Sequence, residues 1–177
     1  MGGVAGMRGK QTVRGMFQSL AVIMAAAGVM YLFIPHDEDA NPVEAKDYRV
    51  ELLTAQRAAP YPVLAPEGLG EGWKATVVSY KREQNDRWQL GFLTPDTQYA
   101  ALYQSTEDPK EYVPDVTQKA KASGKTRTVA GQVWQVWEGP KYDALVRTEG
   151  KATTVVTGTA SLDRLAEMAG ALQSKKA

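Results

Sequence analysis

Residues 74–105 read KATVVSYKREQNDRWQLGFLTPDTQYAALYQS, and their period decides the fold. From Lys74 to Lys81 side chains alternate, with Ala75, Val77 and Ser79 on one face and Thr76, Val78 and Tyr80 on the other. After the polar turn Arg82 to Asp86, Trp88, Leu90 and Phe92 share a face of residues 87–94. Pro95-Asp96-Thr97 turns the chain again into 98–105, where Tyr99, Ala101 and Tyr103 fall together. Alternation of this kind marks strands, and short polar turns between them mark an antiparallel meander.

Toward the C-terminus, Asp108-Pro109 is a cap followed by proline, and predicts a helix over 110–123 closed by Gly124. Pro114 requires a kink or a later start in it. Segments 126–129 and 133–138 flank Ala130-Gly131, and 142–148 and 152–157 flank Glu149-Gly150-Lys151, which predicts two hairpins. A last helix begins near Ser161 and sets Leu162, Leu165, Ala166, Ala169 and Leu172 on one stripe. The expected class is α+β, one domain with a largely antiparallel sheet of about six to seven strands covered by helices.

Toward the N-terminus, the stretch APYPVLAPEGLGEGW at 59–73 is too rich in proline and glycine for a helix or a central strand. Before it, Asn41-Pro42 reads as a helix start, and Ala45, Tyr48, Leu52, Ala55 and Ala59 form a narrow stripe of about four turns. So modest a seam favours docking on the domain that follows over pairing with another copy. Residues 35–41 are a short acidic spacer.

Met16 to Ile34, MFQSLAVIMAAAGVMYLFI, carries no charge. At ~1.5 Å per helical residue it reaches roughly 28 Å, near the ~30 Å apolar thickness of a bilayer. Arg8, Lys10 and Arg14 precede it without an acid, whereas Asp37, Glu38 and Asp39 follow. Basic flanks stay on the cytoplasmic side, so the domain is expected outside. A signal peptide cut after Ala27 is the rival reading, but the apolar run continues past that point, which favours an uncleaved anchor. The expected organisation is therefore a cytoplasmic tail (1–14), a transmembrane helix in the lipid bilayer (15–35), a spacer with an amphipathic helix (36–59) and an extracytoplasmic domain (60–174).

Composition narrows the chemistry. Absent cysteine excludes disulfides, thiolate catalysis and a lipid-modified cysteine anchor. The single histidine, His36, lies in the spacer, so neither a Ser-His-Asp set nor a zinc site has its ligands. Gly68, Gly70 and Gly72 lack the Lys-Ser/Thr ending of a phosphate loop and the preceding strand of a dinucleotide fold. No cofactor is expected. Of the 21 basic and 20 acidic residues, three cations stand before the apolar run, so the remainder is too neutral for a nucleic-acid binder. A carboxylate-dependent enzyme acting on cell-wall polymer or lipid is the alternative to a binding module. Its candidate acids, such as Glu83, Glu107, Glu138 and Asp143, fall at strand ends and turns, where solvated charges are ordinary.

Four tryptophans are many for so small a domain. Trp73, Trp134 and Trp137, with Tyr61 from the proline-rich loop, are the candidate surface for an envelope protein or glycan partner. Trp134 and Trp137 stand three apart in one strand and must face opposite sides of the sheet.

The combination of APYPVLAPEGLGEGW, WQLGFLTP, QYAALYQS, GQVWQVWEGP and VVTGTASLDRLAEMAGAL, spread over most of the chain, resembles an uncharacterised family of actinobacterial proteins, domain of unknown function 4245. The resemblance implies a single-pass membrane protein with a short cytoplasmic tail. It brings no activity, substrate or catalytic residue.

Overall fold

The computed structural model describes the backbone at 9–33 and 45–174, with side chains at 15–30 and 45–174. The chain divides into two compact units, Met1–Pro42 and Val43–Ala177.

The first unit holds one helix, α1 (Gly9–Phe33). Its side chains from residue 15 to residue 30 are exposed, among them Met16, Phe17, Leu20, Val22, Ile23 and Met24. Among the described residues no helix is long and apolar enough to cross a membrane. The transmembrane helix expected over 15–35 is thus not among the structural findings, and residues 34 and 35 lie outside the described set. So do the acidic spacer and the Asn41-Pro42 helix start.

The second unit is α+β. Its elements are α2 (Arg49–Ala58), β1 (Ala65–Pro66), β2 (Lys74–Lys81), β3 (Arg87–Leu93), β4 (Tyr99–Ser105), α3 (Pro109–Val116), β5 (Lys121–Val129), β6 (Gln132–Glu138), β7 (Asp143–Glu149), β8 (Ala152–Gly158), α4 (Leu162–Gly170) and β9 (Leu172–Gln173). Seven strands form one sheet in the order β2-β3-β4-β8-β7-β6-β5, and every pairing is antiparallel. Two meanders, β2 to β4 and β5 to β8, therefore meet where β4 pairs with β8. The chain leaves β4 in the interior of the sheet, crosses through α3 and re-enters at the far edge.

Each face has its own core. On one, Trp88, Leu90, Phe92, Leu102, Trp134, Val136, Leu145 and Val156 point at α4 (Leu165, Ala166, Met168), at Ala55 of α2 and at Tyr61, Val63 and Ala65 of the loop. On the other, Tyr112, Val113 and Val116 of α3 cover Ala144, Val146 and Val155. Apolar residues packed from both sides supply the main stabilisation of such a sheet.

Several sequence expectations are corrected. The helix of about four turns begins only at Arg49, because the Asp47 carboxylate takes the Arg49 N–H at 3.0 Å while Lys46 N–H bonds the Ala75 carbonyl at 2.9 Å. Residues 45–48 thereby run along the edge of β2, and Tyr48 meets Phe92 edge-on. The helix expected to reach Ser123 stops at Val116. There the Thr117 hydroxyl bonds the Val113 carbonyl, and Gln118 and Lys119 take positive φ, 54° and 74°. Lys119 N–H then bonds the Pro114 carbonyl at 2.7 Å, closing the helix. Gly124, read as its stop, instead sits at φ +78 where the β5–β6 register shifts between Ala122 and Thr126.

A second bulge interrupts the strict alternation read in β2. The register with β3 shifts between Ala75 and Val77, so Ala75 shares the α4 face with Val78 and Tyr80 rather than with Val77 and Ser79. Leu172 leaves the helical stripe as well. It lies in β9, which pairs with β1.

Candidate functional site

The inward face of the sheet is largely apolar, but polar residues share its register, among them Gln132 and Thr154 as well as Gln104 and Arg147. Gln104 follows Leu102 by two, and Arg147 follows Leu145 by two. Gln104 and Arg147 both line a groove of about 710 Å³ between the loop at 60–64, the ends of β6, β7 and β8, and the C-terminal end of α4.

Gln104 is 2% exposed and holds the loop to the sheet. Its Oε1 accepts the Leu64 N–H at 2.7 Å, and its Nε2 donates to Thr154 Oγ1 at 3.2 Å and to the Pro62 carbonyl at 3.3 Å. Trp88 adds a bond from its indole N–H to the Leu64 carbonyl at 3.0 Å. The Tyr61 hydroxyl is held by the Asp86 and Gln104 carbonyls. Burial, with the nearby Tyr80 and Asp86, pushes the Tyr61 hydroxyl well above its ordinary pKa, so it stays protonated.

Across the groove, the Arg147 guanidinium lies over the Trp134 ring, 5.2 Å from its centroid. Trp134 is buried, and its Nε1 has no hydrogen-bond partner. Arg147 Nη2 pairs with Glu149 Oε2 at 3.0 Å, but its Nε is buried and unpartnered. Lys151 stands exposed at the rim.

On the opposite face a smaller hollow of about 360 Å³ is lined by Arg87, Gln89, Tyr99, Tyr103, Tyr142 and Asp115, among others. Arg87 lies 5.2 Å over the Tyr112 ring and is paired with Glu107 at 2.9 Å and Asp115 at 3.0 Å. Two acids do converge here, on a cation that takes both as partners. Among the described residues no group of three or more His, Cys, Asp or Glu is arranged to hold a metal ion.

The aromatic surface expected from the sequence is not assembled. Tyr61 and Trp134 share the groove but are core residues, 7% and 2% exposed, because α4 and the loop cover their face. Trp137, half-buried, lies on the α3 face with its Nε1 unpartnered. Trp73 packs edge-on against Phe92 at 6.2 Å, donates to Glu167 Oε1 at 3.2 Å and lines no part of the groove. Of the expected topology residues, Arg8 lies outside the described set, and Lys10 and Arg14 fall within α1 with their side chains outside it. Gln104 and Arg147 were the residues sequence reasoning missed, although a polar side chain on an inward register marks both.

No curated protein matches the chain at significant similarity. A family model matches residues 8–172, nearly the whole length. The chain belongs to the family described as protein of unknown function (DUF4245).

Proposed function

We propose that this chain is a single-pass membrane protein of the cell envelope whose folded unit lies outside the cytoplasm and binds an envelope component, protein or glycan, without chemistry of its own. The observation that carries the reading is the charge-free run from Met16 to Ile34, with a basic flank before it and an acidic one after. Within it α1 exposes bulky apolar residues at positions that take in most of its circumference, from Leu20 to Met24. A helix apolar on so many sides needs apolar surroundings, and a bilayer supplies them. Binding is supported by the groove, whose size falls in the usual range for ligand sites and whose lining is about equally polar and apolar.

Ala26→Arg tests the anchor. A charge near the centre of a span costs roughly 2.5–3.5 kcal/mol on insertion scales, so the variant should leave the membrane fraction. Protease added to intact, wall-stripped cells should cut the wild-type folded unit. Retention of the variant in membranes, or protection of the folded unit until the cells are broken, overturns the reading.

A further inference from the structure

We propose that the groove recognises an oxyanion, a carboxylate or phosphate group on a ligand with an apolar body, through Arg147, and that Glu149 is its built-in competitor. The inference rests on the binding role proposed above.

Arg147 and Arg87 make an informative pair. Each lies over an aromatic ring at 5.2 Å, and each has a buried Nε without an acceptor. Arg87 is nevertheless neutralised by two carboxylates, Glu107 and Asp115, within 3.0 Å. Arg147 has one, Glu149, whose side chain is 77% exposed. Stacking engages the face of a guanidinium and consumes none of its in-plane donors. Arg147 therefore keeps most of its donors while its charge is offset only by a group free to swing into water.

The geometry at Glu149 is that of a placeholder. It pairs with Nη2 and leaves Nε without a partner, whereas an oxyanion laid along the edge of the guanidinium engages Nε and Nη2 together. The incoming group displaces Glu149, satisfies the buried Nε–H, and gains the field of Lys151 at the rim. Pro60, Pro62, Leu64 and Leu172 offer the ligand's apolar body its contacts. The unpartnered Trp134 indole N–H beneath the guanidinium reports on any change there.

The test follows the Trp134 indole N–H resonance by NMR in the full-length chain held in nanodiscs, titrated with butyrate, butyl phosphate and the neutral butyramide. Either anion should shift it saturably and butyramide should not; the tighter anion identifies the headgroup. Glu149→Gln should tighten the anion about two- to fivefold, the worth of a weak exposed pair. Arg147→Lys, which keeps the charge but loses the fork, should weaken it, and Arg147→Gln should abolish it. Equal shifts from butyramide and butyrate overturn the oxyanion inference and leave binding in the groove standing. No shift from any probe overturns both. Unchanged affinity in Glu149→Gln, a surface change that leaves the fold intact, overturns the competitor role even where the Arg147 variants fail to fold.

Discussion

Gln104 accepts the backbone N–H of Leu64 at 2.7 Å across a separation of 40 positions, and by that bond a proline-rich loop becomes the wall of a groove. The side chain is saturated: its amide also donates to Thr154 and to Pro62. Replacing it with leucine removes both ends of the link and leaves the Leu64 N–H without its acceptor. An unmet polar group of this kind costs about 1–3 kcal/mol. Gln104→Leu should lower the urea midpoint accordingly and speed amide exchange at Leu64; unchanged exchange there would show that the loop is held by Trp88 and Tyr61 alone.

Gly158 lies where the two meanders join, opposite Ala100 on one side and Asp143 on the other. A Cβ placed there falls on the Tyr99 carbonyl oxygen and 2.7 Å from its carbon, both backbone atoms with no freedom to yield. Gly158→Ala should destabilise by about 3 kcal/mol or more, the upper end for overpacking. Gly70→Ala meets nothing within 4 Å and should stay within about 0.5 kcal/mol of the parent in the same denaturation measurement.

Alkali should unfold the second unit through its tyrosines. Burial, and then the hydrogen bond to Asp86, pushes the Tyr80 hydroxyl up to about 12. Tyr61, Tyr103 and Tyr112 are raised as well, chiefly by burial. A group that holds its proton more tightly when folded contributes stability below its unfolded pKa of about 10 and loses it as pH climbs through the folded value. Urea midpoints should therefore show no tyrosine-dependent change below about pH 9 and fall from pH 10 to about 12. Tyr80→Phe should make that fall shallower; an identical alkaline slope in the variant would refute the assignment.

How far the sequence could be read follows from which interactions are local. Period two in Trp88, Leu90 and Phe92 named an inward face that the structure retains, since strand parity depends only on neighbouring residues. Bulges defeat that rule. Nothing near Thr76 signals that the chain gains a residue there, so strict alternation groups Ala75 with Val77 and Ser79 instead of with Val78 and Tyr80. The overlong helix after Pro109 has a similar origin: Gly124 suits a helix stop and a bulge equally, and only pairing with β6 decides between them. The groove was half legible. Tyr61 and Trp134 are legible as large rings, and alternation sets Trp134 and Trp137 on opposite faces, but which of the two is core depends on cover by α4, some thirty positions beyond Trp134. Arg147 and Gln104 were visible as polar breaks in apolar registers and passed over as ordinary strand residues.

The short pairing of Leu172 and Gln173 with Ala65 and Pro66 has a consequence for how the protein is made. One partner is synthesised before any strand of the large sheet and the other after all of them. The clasp, and with it the seating of α4 over the core, has to wait until residue 173 has left the ribosome. A polypeptide arrested a few residues earlier should be soft and readily degraded, since its closing contact spans more than a hundred residues of sequence and has no local substitute.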